Sequence, residues 1–295
     1  MKSYRTGILL KAKLFHKIIK KMNKKIILSL IIIAVVAAIG VGGTVAFFSD
    51  TETSTGNTFT TGGIDLGIDN QSYYNGEFNE NTSWLLTYDL DDSKGFGLDG
   101  KYFYFNFKDL KPGDWGEDTI SLHVNNNDAW VCADITLTSN DENDIVEPEA
   151  DLGDTEPEGE LAAEINFIWW ADDGDNVLED GERIFFGSDF NLGDLKVDNT
   201  YTITIADSNK NIFEENEEPL NGCDDPATCT YYIGKAWCFG ELIPTYDGYG
   251  DPTQEPGFTC NGELVTNLSQ SDSVTADIGF RAIQSINNKN FTCKD

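Results

Sequence analysis

Apolar and polar residues alternate with a period of two along much of the chain beyond residue 60. Successive side chains of a β-strand point to opposite faces, so each alternating run puts an apolar face on a core and a polar face toward water. Long runs with the helical period of 3.6 do not occur after residue 46. Strands are therefore predicted around these apolar residues: Ile64, Leu66 and Ile68; Ile120, Leu122 and Val124; Val131, Ala133, Ile135 and Leu137; Ile165, Phe167 and Trp169; Tyr201, Ile203 and Ile205; and Val274, Ala276, Ile278, Phe280 and Ala282.

Clusters of Gly, Asn, Asp and Pro separate these runs, a pattern typical of an antiparallel β-sandwich. We expect residues 47–295 to form a single β-sandwich domain, because an all-β domain can hold about 250 residues around one core. Residues 139–162 are rich in acids and poor in large apolar groups, so we expect an exposed acidic insertion there. Residues 206–295 form a cysteine-rich part, and residues 206–230 within it are expected to link strands.

The first 46 residues have the three parts of a signal peptide. Nine Lys or Arg and no acid precede or flank an apolar run over residues 26–45, which ends in the small-residue site Thr44-Val45-Ala46. We predict cleavage before Phe47; without cleavage the run is long enough to anchor the chain in a bilayer as a helix. Met22 begins a signal of more ordinary length and is an alternative start. The protein is thus expected outside the cytoplasm, with only transient membrane contact through the signal helix.

The charge of the chain is strongly negative. The formal net charge is −31, and because all 51 acids lie beyond residue 46 with only 11 Lys or Arg, the mature chain carries about −40. Such a charge excludes nucleic acid as a partner. It also repels itself in the compact state, which favours high salt or bound divalent cations. A salt-adapted acidic surface and specific cation binding are both consistent with this composition.

Six cysteines follow the signal, an even number in an exported chain, and this indicates disulfides. Zinc is disfavoured, because close cysteine pairs with zinc spacing are missing and only one histidine follows residue 46. Fifteen connectivities are possible. Our preferred pairing is Cys223 with Cys229, Cys238 with Cys260, and Cys132 with Cys293.

One acidic loop is a candidate calcium site. It lies between two apolar segments, is bent by glycines, and combines many hard oxygen ligands of the kind that calcium prefers. The standard spacing and flanking helices of an EF-hand are missing, so a solvated acidic hairpin is the alternative. No other cofactor is expected. The candidate ligands are Asp172, Asp173, Asp175, Asp180 and Glu182.

Two stretches resemble the TasA and camelysin family, whose signals are removed by a dedicated SipW-type signal peptidase. Residues 42–66 read GGTVAFFSD, TETSTGNTF and TTGGIDL in succession. Residues 109–114 read DLKPGD, and residues 120–128, ISLHVNNND, precede an alternating strand. Pro112 and Gly113 also make a good corner between strands on conformational grounds alone.

The resemblance implies a jelly-roll β-sandwich that forms extracellular matrix or pilus-like fibres by donating its N-terminal strand to the next copy. The chain is compatible with that mechanism, since an extended segment with alternate apolar side chains can add to an exposed sheet edge. Its partners would be signal peptidase during export and then other copies of itself. The alternative is a Thr-rich leader, residues 47–63, followed by an intramolecular edge strand. The candidate donor residues are Phe47, Phe48, Phe59, Ile64, Leu66 and Ile68.

Catalytic residues are not expected. A zinc-peptidase helix of the His-Glu-x-x-His type is absent, and alternation puts His123 on the strand face opposite Leu122 and Val124, where we expect a surface histidine. We therefore predict that the chain is not an enzyme. A monomeric, calcium-stabilised surface adhesin or glycan-binding protein is the alternative function, and a secreted hydrolase is a distant third.

Overall fold

The computed structural model describes residues 49–53, 64–88, 102–155, 157–223, 228–249 and 252–294. Side chains at 49–53, 188 and 189 are outside this description. The chain divides into two units, residues 1–47 and 48–295, and everything below belongs to the second. The predicted signal helix, its cleavage residues Thr44, Ala46 and Phe47, and the predicted donor residues Phe48 and Phe59 lie outside the described residues. The helices that are described are all too short or too polar to cross a bilayer.

Fourteen strands are present in the described part of the chain, with two short helices in the acidic insertion. The helices are α1 (Glu147–Leu152) and α2 (Leu161–Glu164). The strands are β1 (Ser49–Thr53), β2 (Asp65–Tyr74), β3 (Glu77–Phe78), β4 (Trp84–Thr87), β5 (Trp115–Asn125), β6 (Ala129–Asp141), β7 (Ile165–Asp172), β8 (Arg183–Asn191), β9 (Thr200–Asp207), β10 (Lys210–Asn211), β11 (Thr230–Phe239), β12 (Glu241–Pro244), β13 (Phe258–Asn261) and β14 (Ser273–Gln284).

Two antiparallel sheets form the body of the fold. One has the strand order β1-β14-β6-β9-β10, and the other has the order β3-β2-β5-β11-β7-β8 with β4 also paired to β2. All six predicted apolar sets lie in strands, namely β2, β5, β6, β7, β9 and β14. Their apolar faces meet in one large core that includes Leu66, Ile120, Ile135, Trp169 and Phe280. The predicted all-β antiparallel sandwich is confirmed.

The second sheet is also covered on its outer face, which the alternating pattern does not predict. Strands β12 and β13 pair with each other, and they pack with β7 and β11 in a smaller core that contains Trp170, Leu178, Leu242 and Phe258. The polar face of β5 is buried as well, and Trp115 at the start of β5 contacts this second layer. Part of the cysteine-rich region is thus a second layer on the sandwich.

The turn before β5 has the geometry that its residues favour. The Asp114 amide donates to the Lys111 carbonyl at 2.9 Å, and Gly113 has φ +90°, where a side chain would be strained. The Asp114 carboxylate accepts the Lys111 amide at 2.8 Å. This segment is a turn that sets the start of β5, as its sequence predicted.

The six cysteines form the three pairs that were preferred from the sequence. They are Cys132–Cys293, Cys223–Cys229 and Cys238–Cys260. The first ties the C-terminal end of the chain to the centre of β6, the second closes a six-residue loop, and the third attaches β13 to β11.

Candidate functional site

An open groove lies beside one edge of β14. That strand pairs with β6 from Ser273 to Gln284. On its other edge β1 covers only the stretch from Gly279 to Ile283. Within the described residues no strand pairs with this second edge from Ser273 to Ile278, and these residues line a groove of about 930 Å³.

The groove has a mixed lining of polar, apolar and aromatic side chains. A strand edge beside which no other strand lies can pair with an added strand through its backbone, and apolar side chains beside it offer pockets for alternate side chains. These are the two features with which a sheet binds an added strand. The apolar side chains in the lining come from the segment before β5, from α2 and from strands of the second sheet: Phe105, Phe107, Leu161, Phe167, Trp237 and Phe239.

Half of the predicted donor residues lie in the core of their own molecule. Ile64, Leu66 and Ile68 are buried, and the latter two belong to β2, which pairs with β5 on one edge and with β3 and β4 on the other. Withdrawing a side chain of this size from a core costs about 1.5–3 kcal/mol. The part of the N-terminal segment that lies at a sheet edge is β1, which pairs with its own β14 in this structure.

In the predicted calcium loop, two of the carboxylates accept hydrogen bonds from nearby protein groups. Asp172 accepts the Trp170 indole N–H at 3.0 Å and the Gly174 amide at 3.0 Å. Glu182 accepts the amides of Asp173 and Glu179 at 3.1 and 2.9 Å. Among the described residues, the groups of three carboxylates close enough to hold one ion do not include any of the five predicted ligands.

Burial changes the titration of two carboxyls in this loop. It raises the pKa of Asp172 to about 6 although three hydrogen bonds oppose the change. Burial, with a smaller contribution from the charge of Asp172, raises the pKa of Glu182 to about 7. The ordinary values are 3.8 and 4.5. The loop is therefore most stable when these carboxyls are protonated.

Raising the pH from 5 to 8 is expected to lower the unfolding temperature by a few degrees. Between about pH 4 and pH 7 the folded state binds more protons than the unfolded chain. The stabilisation that the two protonated carboxyls give is therefore complete below that window and lost above it. Thermal melts across this pH range measure the slope of the unfolding temperature against pH. Glu182→Gln should reduce it, and Asp180→Asn, at an exposed position, should not. Equal slopes in wild type and Glu182→Gln would contradict the assignment.

The acidic insertion is exposed only in part, whereas its composition predicted an exposed loop. It contains α1 and α2, and Glu149 in α1 has no exposed surface. The insertion folds against the segment before β14, where Asp272 accepts the amides of Glu160 and Leu161 at 2.6 and 3.1 Å. Local composition could not predict this burial, because it depends on a segment more than 100 residues away.

The folded insertion brings five carboxylates together. One oxygen each from Glu142, Glu149 and Asp272 lie within 4.8 Å of one another, and the same holds for Glu142, Asp154 and Glu160. Burial raises the pKa of Glu142 to about 7, with the neighbouring charge of Asp272 as the next cause. The sequence did not predict this site, since Asp272 lies more than 100 residues from the other four carboxylates in the acidic insertion.

His123 is buried rather than a surface residue. It is 8% exposed, its Nε2 lies 2.6 Å from Asp69 Oδ2, and its Nδ1 lies 3.0 Å from Thr230 Oγ1. The three side chains form a hydrogen-bonded row across β2, β5 and β11. The expectation of a surface histidine was wrong, because Asp69 and Thr230 on the two neighbouring strands pack beside the ring.

The fold and the groove define a disulfide-stapled β-sandwich with a groove beside one edge of β14. Residues 21–77 match the model of a family described as camelysin metallo-endopeptidase. The match covers 57 of the 295 residues and agrees with the resemblance to the TasA and camelysin family that the sequence indicated. A search of curated proteins found no match.

The family description corrects one prediction. The sequence analysis concluded that the chain is not an enzyme, whereas the matched family is named for a metallo-endopeptidase activity. The carboxylate clusters are the groups in the described chain that could hold a metal. They supply only oxygen ligands, which suit a hard cation such as calcium better than the nitrogen-rich zinc sites of many peptidases.

Proposed function

We propose that this protein is a structural subunit of an extracellular fibre, in which the N-terminal strand of one copy completes the open sheet edge of the next. The observation that carries the proposal is the groove beside Ser273–Ile278. It continues the edge on which β1 already lies, so one extended segment can use both.

The register of β1 supports the proposal, because it can be extended along β14. Ser49 lies opposite Ile283 and Thr53 opposite Gly279. The pairing is antiparallel, so each step forward along β1 is a step backward along β14. A neighbour's strand in the same register would set residues 54–59 against residues 278–273, along the groove. Phe59 would then reach the end of β14, where the sequence analysis expected a donor side chain.

A subunit can hold its own β1 and still exchange it. Exchanging an identical element between copies replaces one set of contacts with the same set, so the free-energy difference is small. Longer pairing along the groove would favour the exchanged form. Because the acceptor edge and the donated strand are different surfaces, the contact is head-to-tail and extends into a filament. Ile64, Leu66 and Ile68 stay in the core of their own subunit.

A cysteine pair at one register position should detect the exchange. Ser49→Cys and Ile283→Cys, introduced together into the mature chain starting at Phe47, place two thiols on directly opposed residues. All six native cysteines are already paired. We expect filaments by negative-stain microscopy and, after mild oxidation, a ladder of covalent multimers on a non-reducing gel. A chain that begins at Ile64 should not form filaments.

The matched control is Thr136→Cys with Asp277→Cys, a directly opposed pair between β6 and β14. Those strands are not exchanged, so this pair should cross-link within one chain and give monomers on the same gel. Filaments whose Ser49–Ile283 cross-links stay within one chain would refute strand exchange. A mature chain that forms no filaments under any tested salt condition would refute the fibre function.

Peptidase activity is the second candidate, and the family description favours it. Hydrolysis of a denatured protein substrate by the mature chain, with and without chelator, is the direct measurement. The carboxylate clusters would hold the metal if the activity requires one.

A further inference from the structure

Four of the clustered carboxylates, those of Glu142, Glu149, Glu160 and Asp272, have no salt bridge to a basic side chain among the described residues. Both carboxylate oxygens of Glu142 are buried beside the Asp272 carboxyl, with which the Glu142 side chain shares a hydrogen bond, and one oxygen of Glu160 is buried without a hydrogen-bond partner in the described structure. The four salt bridges among the described residues involve Lys111, His123, Lys235 and Arg281, and none reaches the cluster. Charge buried in this way is costly unless a cation or a proton neutralises it.

Glu149 points to a ligand independently of the acidic composition. It has no exposed surface, its Oε2 accepts the Val146 amide at 2.7 Å, and its Oε1 is buried with no hydrogen-bond partner among the described residues. The carboxylate is thus held in place by α1 and faces Glu142 and Asp272. A fixed, dehydrated carboxylate oxygen beside two others is the arrangement that a hard cation binds.

We propose that Glu142, Glu149 and Asp272 bind a calcium ion, with Asp154 and Glu160 as a neighbouring group that shares Glu142. Calcium takes six to eight oxygen ligands, and three carboxylates can supply up to six. The ion would join the acidic insertion to the segment that leads into β14. The five acids predicted in the 172–182 loop are not part of this site.

Several hydrogen bonds already connect the elements that the ion would join. The Asn143 side chain donates to the Ser271 carbonyl at 2.8 Å, and Ser271 Oγ donates to the Asp144 carbonyl at 2.8 Å. These contacts do not involve carboxylates, so the site is held partly preformed without an ion. A preformed site lowers the ordering cost of binding.

Calcium titration of the chelator-treated mature chain tests the proposal. In 150 mM NaCl, which screens diffuse attraction to the acidic surface, calcium at about 100 times its dissociation constant should raise the unfolding temperature by roughly 5–10 °C. Calorimetric titration should show a saturable site. In Glu149→Gln and in Glu142→Gln both signals should be lost, while the unfolding temperature without calcium should stay level or rise, because repulsion is relieved.

The matched control is the double variant Asp173→Asn with Asp180→Asn, which removes two exposed charges from the 172–182 loop. It should retain the calcium shift. Loss of the shift in this control, but not in Glu149→Gln, would place calcium in the 172–182 loop and overturn the proposal. No saturable binding to the folded wild type at pH 7.5 would also overturn it, and would indicate that shared protons neutralise the cluster.

Discussion

The single variants Asp118→Leu and Lys235→Met are each expected to lower the free energy of unfolding by about 3–5 kcal/mol. Asp118 and Lys235 lie directly opposite each other on β5 and β11, form an ion pair, and are 1% and 0% exposed. Removing either partner leaves a buried charge that neither water nor another ion neutralises. Chemical denaturation of the purified mature chain measures the loss.

The double variant with both changes should recover most of that stability, because a buried ion pair replaced by apolar groups of similar volume is often neutral or stabilising. Lys111→Met provides the control. Lys111 pairs with Asp109 at 3.0 Å, but these side chains are 67% and 90% exposed, so the expected loss is below about 1 kcal/mol. A buried-pair single variant that loses no more than this control would show that the Asp118–Lys235 charges are not desolvated.

Replacing both Cys132 and Cys293 with alanine is expected to cost about 2–5 kcal/mol of unfolding free energy. The two residues are 161 positions apart, so their bond removes much of the freedom of the unfolded chain. They are also buried, and the bond ties the last described residues to the central strand β6. Guanidinium unfolding of the oxidised variant against the wild type measures the effect.

The comparison for this prediction is the pair Cys223 and Cys229, which are six positions apart. In the chain-entropy account, replacing that pair should cost roughly half as much. If the two double variants lose equal stability, loop length does not govern the contribution of these disulfides, and local packing around each bond would have to account for it.

The strands that sequence predicted correctly share one property. Most residues of the six apolar sets face the main core, although Tyr201 is exposed. Strand β11 escaped prediction because its sequence does not alternate: Ala236 and Cys238 are apolar on the outer face, and Lys235 pairs with Asp118 on the core face. Strand β5 is also buried on both faces, but it keeps the alternating pattern because the residues on its outer face are polar.

The candidate sites divide in the same way. The N-terminal strand and the calcium loop were predicted from continuous stretches of residues, and in the structure Asp172 and Glu182 of that loop accept hydrogen bonds from the Trp170 indole and from backbone amides. The Glu142–Glu149–Asp272 cluster joins the acid-rich stretch 139–162 to a residue more than 100 positions away, and several separate segments line the groove beside β14. Acid density therefore pointed to most of the converging carboxylates, but not to the distant residue that completes the cluster.

By itself the sequence determined an all-β fold, the presence of disulfides, a signal-like N-terminus and a strongly acidic character, because alternation, cysteine number and charge are read directly from residues. Only the tertiary structure decided which cysteines pair, where the groove beside β14 lies, which carboxylates converge and which charged residues are buried. Those properties depend on contacts between distant segments, whose free energies local patterns do not contain.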